Sequence, residues 1–484
     1  MLAVLAVLAV LAVLLALPAA AQPPRPNIVL MMADDQGRGE AGYYGHPYLK
    51  TPVLDEMSRT GLRLDRFYSA SPVCSPTRAS VMTGRHANRS GAFAANWSTR
   101  PEEITVAQIL QKAGYRTGHF GKWHLGPVKR DSPLNPGRMG FDEYLSHDNF
   151  FEMNPPLSRN GAPPEIVPGE SSEVIVDAAV AFTRKAVAEG KPFLVVIHFG
   201  SPHDPYSGKP EDVAPYGHLG KEIAGRFAEI AAMDRAIGIY RAALAAMAAR
   251  EHTLVWFNSD NGISWEGVPA EQRTDLFNGG WRGHKESLYE GGLLVPGIIE
   301  WPAAIKAPRQ SAVPCVTSDI LPTVLDLLGL KHPVPSRPLD GISLKPLVAG
   351  GTMNERPSPI GFWKYATQDE NKNARWIAED RSRGTTPTTR NPGILFQNYT
   401  HPVTKTTDFG GEAAWTDNRF KLVMLTSGSG GGKHEVRELY DLIADPKETT
   451  DIASRHPDIV GRMTEELRAW QRSVERSLSG ADYR

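Results

Sequence analysis

The run Pro26-Asn27-Ile28-Val29-Leu30-Met31-Met32-Ala33, broken at once by Asp34-Asp35-Gln36-Gly37, sets the fold. An uninterrupted apolar run of strand length, without polar alternation, predicts a strand covered on both faces. Its abrupt end places two carboxylates just beyond the strand. The same arrangement recurs three times. Gly114-Tyr115-Arg116-Thr117-Gly118-His119-Phe120 runs into Gly121-Lys122-Trp123-His124-Leu125-Gly126. Pro192-Phe193-Leu194-Val195-Val196-Ile197-His198-Phe199 runs into Gly200-Ser201-Pro202-His203-Asp204-Pro205. Thr253-Leu254-Val255-Trp256-Phe257 runs into Asn258-Ser259-Asp260-Asn261-Gly262. Helical patterns lie between: residues 105–113, 172–189 with a Ser at the cap, and 223–250 with apolar residues three and four apart. Strands alternating with helices predict an α/β fold, a large, mainly parallel sheet flanked by helices. Ligands bind such sheets outside the carboxyl ends of the strands, where all four polar clusters fall.

The 484 residues are too many for one core, so two domains are expected. Near residue 330 the texture changes: Pro333, Pro335, Pro338 and Gly341 mark a connector, and Gly350-Gly351 a further break. The predicted division is a catalytic domain over residues 22–345 and a smaller C-terminal α+β domain over 346–484. The latter has an antiparallel sheet, with strands near 359–363 and 419–424, and a helix from about 457 to 478. The polar stretch 367–412 reads as an insertion near the site mouth. Residues 2–17 are a Leu-Ala-Val run followed by Pro18 and Ala19-Ala20-Ala21, which predicts a signal peptide over 1–21 and an exported, periplasmic or secreted protein. An uncleaved anchor is the competing reading, and no Lys or Arg precedes the run. A net charge of −1 excludes bulk electrostatic attraction to nucleic acid, so anion recognition must be local. Nothing in the sequence indicates an oligomeric state.

Three groups of residues carry chemistry. Asp34-Asp35 and Asp260-Asn261 would each alone be ordinary turn or cap residues. Two such pairs at the ends of different strands make an all-oxygen set suited to Ca²⁺ or Mg²⁺, without thiolate or imidazole for zinc. Arg78, Lys122, His124, His203 and Lys285 are individually unremarkable surface charges or core histidines. Beside the same strand ends they form a cluster for an anionic ester, with acids and bases at hand. Third is Cys74, in Pro72-Val73-Cys74-Ser75-Pro76-Thr77-Arg78-Ala79-Ser80-Val81-Met82-Thr83-Gly84-Arg85. With Cys315 it could form a single disulfide in an exported protein. Pro76 and Arg78 at those offsets carry a family resemblance that implies modification and anion binding instead.

The C-x-P-x-R core at Cys74, with the Thr-Gly-Arg that follows, resembles the formylglycine-dependent sulfatases of the arylsulfatase type in the alkaline phosphatase superfamily. Residues 27–37, 121–126, 259–262 and Arg282-Gly283-His284-Lys285 through Tyr289-Glu290-Gly291-Gly292 occur in family order. Glu438-Leu439-Tyr440-Asp441-Leu442 and Asp445-Pro446-Lys447-Glu448-Thr449 are typical of its C-terminal domain. The resemblance implies that a maturation enzyme oxidises Cys74 to 3-oxoalanine (formylglycine). Its hydrate is a geminal diol, one hydroxyl attacking sulfur and the other helping to expel sulfate. It further implies that Asp34, Asp35, Asp260, Asn261 and modified Cys74 hold Ca²⁺, with Mg²⁺ the other hard cation that fits. Arg78 would orient the aldehyde, Lys122 and Lys285 bind sulfate oxygens, His203 protonate the leaving alcohol and His124 act as base on the diol. Ser146 aligns with a sulfate-contacting serine, and His147 and Asp148 with the pocket lining.

Residues 146–158 resemble loops in bacterial carbohydrate sulfatases, some similar to N-acetylgalactosamine-6-sulfatase. A sulfated sugar is thus the expected substrate, with Phe150, Phe151, Trp265 and Trp281 either packing on its ring or belonging to the core. One departure stands out: the family's Arg after Glu-Gly-Gly is absent from Gly291-Gly292-Leu293-Leu294-Val295-Pro296, which implies a compensating change in packing. Two alternatives remain open at this point. One is a phosphate mono- or diester hydrolase of the same superfamily, disfavoured by the lack of His ligands for a second metal. The other is a non-catalytic exported binding protein with unmodified Cys74.

Overall fold

Residues Asn27–Ala33 form strand β1 of a ten-stranded sheet. The computed structural model describes residues 25–273, 275–365, 374–400, 409–427 and 434–483. The expected signal peptide lies outside the described residues, and none of the described helices is long and apolar enough to cross a membrane.

The following strands are β2 (Leu62–Leu64), β3 (Phe67–Tyr68), β4 (Arg116–Lys122), β5 (Glu143–His147), β6 (Pro156–Arg159), β7 (Glu165–Ile166), β8 (Phe193–His198), β9 (Thr253–Ser259), β10 (Gly297–Glu300), β11 (Arg309–Ser311) and β12 (Cys315–Val316). The sheet order is β11-β2-β10-β9-β1-β8-β4-β5-β6-β7. Its centre, β9-β1-β8-β4-β5, is parallel throughout. Antiparallel pairings of β10 with β9 and β2, and of β6 with β5, finish the two sides and make the sheet mixed. All four strands foreseen from their polar ends lie in the parallel centre, so those ends converge on one edge.

Although β1 reads as a continuous apolar run, its side chains alternate between two cores. Ile28, Leu30 and Met32 pack with helices α2 (Cys74–Thr83), α3 (Val106–Lys112) and α6 (Ile320–Leu328). Val29, Met31 and Ala33 pack with α1 (Pro52–Thr60), α4 (Ser171–Ala188) and α5 (Lys221–Ala246). Each fully buried Val, Leu or Ile contributes roughly 1.5–3 kcal/mol, which is why the buried stretch from Ile28 to Ala33 carries no polar residue. Helix α3 starts with a capping box between Thr105 and Gln108. The expected Ser cap of α4 is corrected: Glu170 is the cap, its carboxylate accepting from Glu173 N, and Ser171 and Ser172 lie inside the first turn.

In the C-terminal part, β13 (Ile360–Tyr365), β14 (Gly411–Thr416), β15 (Phe420–Ser427) and β16 (His434–Asp441) form an antiparallel sheet in sequence order. Helix α7 (Pro457–Leu478) covers one face through Met463, Leu467 and Val474. The other face, with Phe362, Ala414 and Val423, packs on Tyr68, Leu293 and Val316 of the larger part. Cys74 and Cys315 are both free and buried, so there is no disulfide between them. Cys315 belongs to the core, its Sγ 3.3 Å from the Val313 carbonyl.

Candidate active site

The ends of β1, β9 and β4 bring the three sets of residues together. Asp34 N donates to Ser201 O (3.0 Å) and Asp260 N to Ala33 O (3.2 Å), which ties the loops after β1, β8 and β9 into one unit. Gly262 is required here: a Cβ would lie 1.9 Å from Gly291 O, where the Asp-Asn-Gly loop crosses the Glu-Gly-Gly loop. That crossing also delivers Lys285, whose N donates to Ile263 O (2.8 Å). Asp35 (φ 69°) and His124 (φ 54°) hold left-handed backbone conformations, a local strain that neighbouring structure must maintain.

Opposite charges interlock in the cluster. Lys122 Nζ donates to Asp34 Oδ2 (2.6 Å), and Lys285 Nζ to Asp35 Oδ2 (2.8 Å). Arg78 grips Asp260 Oδ2 through Nη2 (2.6 Å) and Nε (3.1 Å), while Nη1 donates to Lys122 O (3.2 Å). Asp260 Oδ1 accepts from Asp35 N (3.0 Å), and Asn261 Nδ2 donates to Asp35 Oδ1 (2.7 Å). Two oxygens are left over: Asp34 Oδ1 and Asn261 Oδ1 are buried without a hydrogen-bond partner. Asn261 Nδ2 faces two acceptors, Asp35 Oδ1 and Gly262 O, so its amide orientation follows from its bonds and its oxygen is the orphan. Unpartnered buried oxygens beside further carboxylates fit a hard cation. Asp34, Asp35, Cys74 and His203 each offer a ligand atom within 4.8 Å of the others.

Burial and charge set the protonation states. Burial alone would raise Asp35, but Lys285 and His203 override it and hold the carboxyl well below the usual range. Burial, followed by the charge of Asp34, pushes Asp260 up to about 6 against Arg78. His203 is pushed down to about 3 by burial, with Lys285 next, so it is neutral in the free protein. His203 Nδ1–H donates to Asp204 O (2.6 Å), which leaves the Nε2 lone pair 3.3 Å from Lys285 Nζ. Burial, then Lys122, lowers His124 far below its ordinary value. Its Nε2 pairs with Asn96 Oδ1 (2.8 Å), leaving Nδ1 without a partner. Cys74, at the first position of α2, is pushed up to about 12 by burial against the attraction of Lys122. Such a thiol stays protonated and is a poor nucleophile.

Several expected residues lie elsewhere. Ser146 is buried in β5 and its hydroxyl is engaged by His119 Nδ1 at 2.7 Å, outside the network that joins the lysines, carboxylates and His203. Asp148 is fully buried and clamps the insertion: Oδ2 accepts from Thr385 N (2.7 Å), Thr386 N (2.8 Å) and Thr386 Oγ1 (2.7 Å), and Oδ1 from Val128 N (2.7 Å). His147 Nε2 bonds Pro387 O (3.1 Å). Both residues hold residues 385–387 in place. Of the aromatics, Phe150 stacks on His203 at 4.3 Å between ring centroids, Phe151 is core, Trp281 lies under Arg38, and Trp265 lines a cavity that reaches Lys285. Asn96, which orients His124, and Arg390 were not among the site residues expected from the sequence.

The family profile described as Sulfatase matches residues 26–330. The chain belongs to the sulfatase family. It is 33% identical over 375 residues to the N-acetylgalactosamine-6-sulfatase of Canis lupus familiaris, covering 70% of this chain and 69% of that protein. With the arylsulfatase A of Bos taurus it shares 33% identity over 390 residues, 73% of this chain and 72% of that one. The crystal structure of Ps i-CgsB in complex with k-i-k-neocarrahexaose superimposes with a TM-score of 0.73 at 23% identity, covering 94% of each chain; at that identity the likeness concerns the fold alone. As a member of this family, this sulfatase is a hydrolase of sulfuric esters.

Proposed function

We propose that the protein hydrolyses the sulfate ester of a carbohydrate through an aldehyde made from Cys74 and with a divalent cation, Ca²⁺ first among the candidates. The observation that carries this reading is the site at Cys74. A thiol that burial has made unreactive sits within ligand distance of Asp34, Asp35 and His203, among three cations and two oxygens without partners. Asp34, Asp35, Asp260, Asn261 and the modified residue 74 would hold the cation, which neutralises charge on the ester. The hydrated aldehyde supplies a nucleophilic hydroxyl and a second hydroxyl to expel sulfate, which an unmodified thiol lacks.

The remaining chemistry belongs to the side chains. Lys122 and Lys285 are bound to carboxylates in the free protein, and sulfate oxygens compete for the same ammonium groups. Arg78 stays locked on Asp260 and holds its positive charge beside residue 74. An ester anion near Nε2 of His203 opposes the effect of Lys285 and raises its proton affinity, so the ring can take a proton and hand it to the leaving oxygen. Neutral His124, with Nδ1 open, accepts a proton from residue 74. The sugar preference rests on the relatives' substrate name; the first compound to try is N-acetylgalactosamine 6-sulfate. Export and maturation by a formylglycine-generating enzyme belong to the same reading.

The test is to compare 4-nitrophenyl sulfate with 4-nitrophenyl phosphate in one preparation from a host that matures such enzymes. Sulfate turnover should dominate and fall on chelation. Dominant phosphate turnover would overturn the reading in favour of a phosphoesterase.

A further inference from the structure

We infer that Arg390, with Asp204 and Glu266, reads hydroxyl groups of the leaving alcohol and selects sugars over aryl alcohols; this rests on the sulfate ester reading above. Asp204 follows the residue assigned to protonate the leaving oxygen, and its backbone carbonyl holds that ring. Its carboxylate is 1% exposed, yet Oδ1, 3.5 Å from His203 Nδ1, has no hydrogen-bond partner. Oδ2 is engaged by Arg390 Nη2, and Arg390 Nη1 reaches Glu266 Oε1 at 3.0 Å. The Arg390 side chain is 47% exposed, so the guanidinium forms a lip that solvent, or a ligand, can touch.

This lip is built from a distance. Arg390 belongs to residues 374–400, which Asp148 clamps at Thr385 and Thr386, while Thr389 Oγ1 donates to Glu152 (2.7 Å). A cavity of about 220 Å³, lined by Trp265, Glu266, His284 and Lys285, lies on the same side. It joins the sulfate-binding lysine to one arm of the Arg390 bridge, with an indole ring in its wall.

The chemistry selects hydroxyls. A sugar hydroxyl can donate to a carboxylate and accept from a guanidinium at once, and neighbouring hydroxyls match the planar fork of an Arg–carboxylate pair. An aryl alcohol offers neither, and leaves the Asp204 acceptor unanswered. Two carboxylates against one guanidinium leave an excess of negative charge, so the lip favours neutral hydroxyls over a second sulfate.

The experiment measures kcat/KM for the wild type, R390Q and R390K on 4-nitrophenyl sulfate and on a panel of monosulfated and disulfated monosaccharides that includes N-acetylgalactosamine 6-sulfate. R390Q should lose about tenfold more on the best monosulfated sugar than on the aryl ester, chiefly through KM. R390K should not recover it, because an ammonium lacks the fork. Equal losses on both substrates, or none, overturn the inference, as does a wild type that prefers disulfated sugars or cleaves the aryl ester and no sugar. A wild type that releases sulfate from nothing overturns the underlying reading and this inference with it.

Discussion

Two buried charge clusters, each of carboxylates around basic side chains, differ in what they leave unpartnered. In the first, Asp34, Asp35 and Asp260 face Arg78, Lys122 and Lys285, with Asp34 Oδ1 and Asn261 Oδ1 left unpartnered. In the second, Lys421 of β15 lies between Glu290 Oε1 (2.9 Å) and Glu448 Oε1 (3.0 Å). The Glu448 contact is an ion pair without hydrogen-bond geometry, since Oε1 has no formed bond. Glu290 Oε2 accepts from Tyr68 (3.0 Å), and Glu448 Oε2 from Glu290 N (2.6 Å). The Lys421 cluster joins the small sheet to the large part and places a buried cation beside Glu-Gly-Gly. Burial of charge alone therefore does not mark a site. What sets the first cluster apart is a pair of orphaned oxygens near Cys74 at converging strand ends.

Substitutions in the two clusters should have opposite effects on turnover and stability. C74A should lower turnover by at least about 10³-fold, since the nucleophile goes, with stability changed by no more than about 1 kcal/mol. A variant with residual activity near wild type would place the chemistry elsewhere. Ca²⁺ should raise the melting temperature of the wild type, and D34N should abolish that rise and lower turnover about 10²-fold. That rise corresponds to about 2.7 kcal/mol at a hundredfold excess over Kd. K421M should reverse the pattern, costing about 3–5 kcal/mol in denaturant unfolding because two carboxylates lose their buried partner. Turnover per folded molecule should hold. A K421M protein as stable as wild type would make that cluster dispensable.

Acid sharpens the contrast. His203, and the core His119, are both pushed down to about 3 by burial, so between pH 6.5 and about 3 the unfolded chain binds protons that the folded chain refuses. Each then removes up to about 1.4 kcal/mol of stability per pH unit as the pH falls through that window. Glu448 has the opposite sign. Burial, opposed by Lys421, raises it to about 7, so the folded state gains stability as pH falls from 7 toward 4.5. Urea unfolding from pH 7.5 to 4 should show E448Q losing stability on acidification more steeply than wild type; parallel curves would refute the assignment.

The parallel centre of the sheet was legible because each strand is buried on both faces and ends in polar residues, a pattern local in sequence. The Cys74 motif and the carboxylate pairs were legible for the same reason. What was hidden depends on distant partners. The three-residue strand β2 and the antiparallel β10 show no periodicity of their own. Asp148 looked like pocket lining because nothing nearby announces Thr385 and Thr386, more than two hundred residues on. Ser146 was expected to contact sulfate, but its hydroxyl is engaged by His119 across the β4–β5 pair. The Ser cap of α4 failed because Glu170, one residue earlier, reaches Glu173 N first.

In the mechanism proposed above, an aldehyde at position 74 carries sulfate ester hydrolysis. The most direct measurement titrates one against the other: preparations matured to different extents, with conversion read by mass spectrometry of tryptic peptide 67–78 and rate read on 4-nitrophenyl sulfate. The rate should rise in proportion to converted peptide and extrapolate to zero at none. A rate independent of conversion, or full activity from the unmodified thiol, would contradict the account.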